Sequence, residues 1–183
     1  MPPSLPRPRH QTFTVDNARV ERLIPDPGFA GDTGAADVAL AAALAAYTRG
    51  TATHGEALLV LQDCRLLVPV VAMLGEVEYD DRGLAHDKTS DMAAVLMQGA
   101  DGRLALLAFT STEALACWNP DARPVPVVPR LAAQSAVQEE AAALVIDIAG
   151  PTTYVIEGED LTALASGWRL ARVGGRTAWL AGP

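Results

Sequence analysis

Three consecutive hydroxyl residues, Thr110, Ser111 and Thr112, stand where an apolar run ends and a helical pattern begins. A helix start leaves backbone N–H groups unpaired and carries the positive end of the helix dipole, so it can hold an anion. Hydroxyl donors at that place would strengthen the grip. The plainer reading of the same residues is a capping box, in which Thr110 caps the helix and Glu113 bonds back to it. Glu113 also puts a negative charge into the field that an anion would need. Asp147 is the second unusual residue. It interrupts the apolar run of Leu144, Val145, Ile146 and Ile148 at a strand end, just ahead of Gly150-Pro151. Open α/β sheets bind ligands at the carboxyl ends of their strands, but an Asp before a turn also accepts turn N–H bonds for purely structural reasons. If the two segments are adjacent, Asp147 would hold the cationic part of a polar or zwitterionic ligand. The hydroxyls of Thr110, Ser111 and Thr112 would hold its anionic part.

The remaining reactive residue types form no constellation. Glu76, Glu78, Asp80, Asp81, His86, Asp87 and Asp91 crowd one stretch, as hard-cation ligands do. The calcium-loop order D-x-[DN]-x-[DN]-G is absent, and zinc asks for more His or Cys. A solvated acidic loop is expected, and no metal is assigned. There is no GxSxG elbow, and His10, His54 and His86 have no sequence association with a Ser or Cys. Arg65 beside Cys64 would lower a thiol pKa, whereas the core-like neighbours of Cys64 argue for a buried, inert group. Cys117, next to Trp118, reads as core. Gly28, Gly31 and Gly34 lack the Lys-Ser/Thr of a phosphate loop and the preceding strand of a dinucleotide fingerprint. No catalytic residue and no cofactor is assigned, and enzymatic activity stays open.

Half of the 183 residues are hydrophobic, enough for one domain with a substantial core. The formal net charge of -8, from 22 acidic and 14 basic residues, repels nucleic-acid phosphate and anionic membranes. The basic residues are scattered; the densest group, Arg7, Arg9 and His10, lies in a Pro-rich leader. No nucleic-acid or membrane partner is expected. Two distant cysteines without CxxC spacing fit a reducing compartment. The first residues hold Pro2, Pro3, Pro6 and Pro8 and no apolar export segment, and the alanine-rich stretch 39–46 is too short to span a bilayer. A cytoplasmic location is expected.

The elements that must position these residues follow from periodicity and punctuation. Residues 1–35 read as a flexible Pro/Gly-rich leader, and 36–183 as a single domain with a C-terminal extension. A helix over Asp37 to Tyr47 is expected, capped by Asp32 or Thr33 and stopped by Gly50. A second covers Thr53 to Leu61, with Thr53 and Glu56 as a capping box. Leu66 to Leu74 is a strand, in which Pro69 should mark an edge or bulge. Glu76 to Asp91 is a loop. Met92 to Gln98 and Leu104 to Phe109 form an antiparallel hairpin through Asp101-Gly102. A short helix runs from Thr110 to Trp118, and Pro124 to Val128 is a peripheral strand. A helix over Arg130 to Ala143 presents Leu131, Ala132, Ser135, Ala136, Glu139 and Ala142 on one side. Strands at Leu144 to Ile148 and Tyr154 to Ile156, and a helix at Glu159 to Ala165, complete the body. The tail from Trp168 folds as a hairpin about Gly174-Gly175. Strands and helices alternate only in the second half, so the fold class is α/β of the α+β kind, a mixed sheet packed by helices. Trp168 and Trp179 are placed to clasp the parent domain, a protein partner or a second copy.

LLVPVV at 66–71, DGRLALLAFTSTEALACW at 101–118, ARPVPV at 122–127 and ALVIDIAGP at 143–151 together resemble the N-terminal domain of the SseB family. That family takes its name from an enhanced serine sensitivity protein and is also catalogued with type III secretion proteins. The resemblance covers residues 36 to 160. It implies a bacterial protein of a widespread family, frequent in actinobacteria, with a mixed α/β domain and no catalytic set to transfer onto these positions. A non-enzymatic binding or protein-interaction module is therefore expected. The alternative is a small metal-independent enzyme with its site at Thr110–Thr112 and Asp147.

Overall fold

The computed structural model describes residues 29, 31–72, 78–79, 85–86 and 92–181. In chain order the elements are α1 (Val38–Thr48), α2 (His54–Leu61), β1 (Leu66–Ala72), β2 (Glu78–Tyr79), β3 (Ala85–His86), β4 (Met92–Ala94), β5 (Leu96–Gln98) and β6 (Leu104–Ala108). There follow α3 (Thr112–Trp118), β7 (Arg123–Val127), α4 (Pro129–Gln138), β8 (Ala143–Ile146), β9 (Tyr154–Glu157), α5 (Gly158–Ala165), β10 (Arg169–Val173) and β11 (Arg176–Leu180). The fold is a mixed α/β one, with helices packed on sheets that contain antiparallel pairs.

Local signals set both N-terminal helices. Asp37 caps α1, its carboxylate accepting from the Leu40 N–H at 2.9 Å, in place of the expected Asp32 or Thr33. Asp32 is committed elsewhere: its carboxylate holds the Gly34 N–H and the Arg65 guanidinium. Gly50 ends α1 in the left-handed region, φ 71°, and its N–H and that of Thr51 return to the carbonyls of Tyr47 and Ala46. The capping box of α2 is complete: Thr53 Oγ1 accepts from Glu56 N, and the Glu56 carboxylate accepts from Thr53 N.

The strands form two main sheets. One has the order β4-β1-β7, antiparallel throughout. The other has the order β5-β6-β8-β9, with β6 and β8 parallel and the outer pairs antiparallel. Leu67 and Phe109 join them, each donating its N–H to the other's carbonyl at 2.8 Å. This division corrects the expected single strand over residues 92–98. The chain breaks at Val95, whose N–H reaches the Pro69 carbonyl while its own carbonyl accepts from Leu107 N. The half before the break pairs with β1 and the half after it with β6, so the Asp101-Gly102 hairpin comprises β5 and β6 alone. Its turn closes by Gly102 N to Gly99 O, with Gly102 at φ 82°. Residues 78–79 and 85–86, expected within a loop, pair as β2 and β3; the rest of that stretch lies outside the described residues.

Pro69 is at neither an edge strand nor a solvent-facing position. It sits in the central β1, opposite Pro124 of β7, and Leu67 sits opposite Pro126. The Leu67 N–H points away from β7, to Phe109, so both positions are non-hydrogen-bonded pairs of the β1–β7 ladder. Pro124 and Pro126 therefore turn their missing donors outward along the free edge of β7. That edge offers a second strand no N–H at either position.

Alanines let α4 approach the sheet closely. Its buried face is Pro129, Ala132, Ala133 and Ala136, whereas Leu131 is 45% exposed, against the expected side. The helix also stops earlier than its pattern suggested. Glu140 takes a left-handed conformation, φ 55°, and the N–H groups of Glu140 and Ala141 return to the carbonyls of Val137 and Ala136. Glu139 and Ala142 thus fall outside it. The main core joins α1, α2, α4 and α5 to Leu106, Ala108, Leu144, Ile146, Tyr154 and Ile156 on one face of the mixed sheet. On the other face Leu107, Phe109 and Val145 pack with Leu115 of α3.

The tail hairpin β10–β11 turns at Gly174 and Gly175, both at positive φ, as a two-residue turn requires. The Gln62 side chain binds it like a strand backbone, accepting from Leu170 N and donating to Leu170 O, both at 2.9 Å. Arg169 forms a two-point pair with Asp63, and Trp179 Nε1 donates to Asp160 at 2.7 Å. Trp179 thus holds the hairpin against its own domain, and Trp168 remains 43% exposed.

Candidate functional site

Because β6 and β8 are parallel, their carboxyl ends arrive side by side. From β6 the chain continues through Phe109 to Thr110; from β8 it passes directly into Asp147. Both Thr110 and Asp147 are buried. The Asp147 carboxylate accepts from Thr110 N on Oδ1 at 2.8 Å and from Thr110 Oγ1 on Oδ2 at 2.7 Å. Asp147 adopts a left-handed backbone, φ 53°, which Asp tolerates better than most residues. Its N–H reaches the Ala108 carbonyl, and its own carbonyl accepts from Gly150 N at 2.8 Å. On the far side, the Thr110 carbonyl accepts from Arg65 Nη1 at 2.8 Å, and Arg65 in turn pairs with Asp32. Burial raises the Asp147 carboxyl above its ordinary range, and the two bonds from Thr110 offset this only in part.

The three hydroxyls diverge. Thr110 does not cap α3, since its hydroxyl is committed to Asp147. Ser111 is the cap, its Oγ accepting from Ala114 N at 3.0 Å, and Glu113 sits in the first turn without closing a box. Thr112 faces the segment before α1: its N–H and hydroxyl both donate to the Gly34 carbonyl. Gly34 is required there, because it lies at φ 78° and a Cβ would fall 2.6 Å from Thr112 Cγ2. Gly34 is thereby buried against the start of α3. Ser111→Ala should destabilise the protein by about 1 kcal/mol through loss of this cap. Urea denaturation measures it, and an unchanged midpoint would show that α3 does not depend on Ser111.

Above Asp147 opens a cleft of about 350 Å³. Ala41, Leu44 and Ala45 of α1 form one wall and Ala114 and Cys117 of α3 another, with Ala149 and Pro151 at the rim. Thr110, Ser111, Glu113, Asp147 and Thr152 supply its polar side chains, and no Arg, Lys or His is among the described residues lining it. The sequence candidates Thr110, Ser111 and Asp147 therefore share one cleft, and Thr112 lies outside its lining. Cys117, expected in the core, is exposed on the α3 wall.

Cys64 is half-buried, and burial, reinforced by Asp37 and Asp63, pushes its thiol up to about 11. Arg65 turns away from it to Asp32 and the carbonyls of Ala35 and Thr110. A cluster with no sequence signal joins distant elements: the His54 ring stacks on Tyr154 at 4.7 Å and lies 3.3 Å from Asp160, which also holds Trp179. The Tyr154 hydroxyl donates to the His54 carbonyl at 2.9 Å, and burial raises its pKa. These contacts fasten α2, β9, α5 and the tail hairpin together. Among the described residues, no three His, Cys, Asp or Glu side chains are placed to hold a metal ion. No helix among them is long and apolar enough to cross a membrane.

No curated protein and no solved structure matches the chain. The family model described as SseB protein N-terminal domain matches residues 40–163. That span runs from α1 into α5 and includes β6, α3 and β8, which build the cleft; β10 and β11 lie beyond it. The chain belongs to the SseB N-terminal domain family.

Proposed function

We propose that this domain is a non-catalytic binding module, and that its ligand enters the cleft over Asp147 with a cationic or hydrogen-bond-donating group foremost. One observation carries the reading: the polar groups at the cleft floor are already paired with one another. Asp147 uses both oxygens on Thr110, and Ser111 accepts from Ala114. Each carboxylate oxygen keeps a second acceptor site for an incoming donor. Glu113 adds a second negative charge at the mouth, and the small apolar walls suit a compact aliphatic body. Of the three hydroxyls, only that of Ser111 is left to donate into the cleft, so recognition of an anionic part is the weaker half of the site. The enzymatic alternative rests on the 2.7 Å Thr110–Asp147 pair, in which the carboxylate would act as base to the hydroxyl.

Chemical-shift mapping against a panel of primary amines, amino acids and short basic peptides tests the module. Shifts are expected at Ser111, Ala114, Asp147 and Ala149, unchanged by chelator and lost in Glu113→Lys. Shifts centred on Trp168 would overturn the cleft reading. Turnover of a panel member that is abolished in Thr110→Val and kept in Thr110→Ser would favour the enzyme.

A further inference from the structure

We propose that Val128, Leu131 and Trp168, with Arg130 among them, form a docking surface for a segment of a partner protein in which aliphatic side chains flank a carboxylate. The three apolar residues are between 40% and 45% exposed. Val128 and Leu131 stand three residues apart at the start of α4, and Val128, Leu164 and Trp168 line one hollow of about 350 Å³. Large apolar side chains left in solvent around a hollow mark an interaction site, whereas isolated ones do not. Tryptophan and arginine are also the side chains that most often anchor such contacts. Among the described residues, none lines both this hollow and the cleft over Asp147.

Charge selects the partner. The charged residues of the hollow are Asp63, Arg130 and Arg169. Arg169 is neutralised by Asp63 in a two-point pair. Arg130 forms no ion pair among the described residues, so the hollow keeps one uncompensated positive charge. A Cβ on Gly167 would fall 3.4 Å from Arg130 Cδ. The Arg130 stem therefore lies across the Gly167 backbone, next to Trp168, and its planar head can take a carboxylate through two parallel bonds. The same charge argues against a second copy, because a two-fold contact centred here would set Arg130 against Arg130. A nucleic-acid strand would bring a negative charge with every nucleotide against a chain of net charge -8. Strand addition is blocked on β7, which leads into α4, by Pro124 and Pro126. Side chains, not a backbone ladder, must carry the recognition.

Two capped peptides test this on the full chain. In extended acetyl-LSESL-amide both leucines and the glutamate lie on one face, and acetyl-LSKSL-amide differs from it only in charge. Titrated into the isotope-labelled protein, the glutamate peptide should shift the Trp168 indole and Leu131 amide signals and bind about tenfold more tightly than the lysine peptide. Arg130→Glu, at an exposed position, should reverse that preference. An unmoved Trp168 indole, an equal response to both peptides, or a preference that survives Arg130→Glu would each overturn the proposal. So would an indole shift on raising the protein concentration alone, which would place a second copy on this surface. A Trp168 shift with oligothymidylate and none with the glutamate peptide would overturn it in favour of nucleic acid.

Discussion

Asp147→Ala will destabilise the protein by about 3 kcal/mol, because it leaves the buried N–H and hydroxyl of Thr110 without an acceptor and removes a charge-assisted pair of bonds. The same change puts alanine into a left-handed backbone position. Asp147→Asn should behave differently. Asn tolerates that conformation, keeps one oxygen for the Thr110 N–H, and offers an amide that can donate to the Thr110 hydroxyl. The pH dependence separates charge from shape. Burial raises the folded pKa of Asp147 above its unfolded value, so folding favours the protonated form. The contribution of this group is least favourable above the folded pKa. It improves as pH falls through that value and levels off below the unfolded pKa. Wild type should therefore gain stability relative to Asp147→Asn on acidification across this window. Urea titrations of both proteins, at neutral pH and below the ordinary carboxylate range, measure the difference. A relative loss by wild type would mean that the Thr110 bonds outweigh burial and hold the pKa down.

What the sequence disclosed follows the range of each interaction. Thr53 and Glu56 settle their cap within three residues, and Asp101-Gly102 and Gly174-Gly175 fix turns whose geometry is entirely local. Thr110 has the spacing of a cap in sequence, but its competitor is remote: Asp147 lies 37 residues away and takes the hydroxyl that α3 would otherwise use. Val95 shows the same limit in a strand. Its residues have strand propensity on both sides, but only the position of β1 forces the ladder to change partner there. Leu131 shares a helical side with Ala132 and Ala136 in the sequence pattern, yet the close packing of Ala132, Ala133 and Ala136 decides which side of α4 faces the sheet. At the candidate site, Ser111 and Asp147 were legible as types worth attention. Their meeting depends on the parallel pairing of β6 with β8, which only the whole topology supplies. Cys117 and the alanines of α1 that wall the cleft carried no signal at all, since a small residue beside a cavity looks in sequence like any other small residue.

Phe109→Ala is expected to cost about 3 to 5 kcal/mol, the range for deleting a fully buried aromatic side chain. Phe109 is wholly inaccessible and sits where the two sheets meet. Its backbone bridge to Leu67 survives the substitution, so the sheets stay joined while the space between them and α3 is emptied. The Phe109 ring lies 5.5 Å from that of Trp118 in a tilted arrangement, and α3 has only seven residues. A helix that short has little stability of its own in water and depends on such packing. Loss of the ring should therefore loosen α3 before the rest of the domain, moving Trp118 together with the Ser111, Glu113 and Cys117 that form one side of the cleft. Two readouts follow from that order of events. Trp118 emission should shift to longer wavelength at denaturant concentrations where far-ultraviolet circular dichroism is still native, and ligand-induced shifts at Ser111 and Ala114 should vanish over the same range. Coincident transitions in both probes would instead mean that α3 is held through Leu115 and the Ser111 cap strongly enough to unfold only with the sheets, and that the cleft wall is as rigid as the core beneath it.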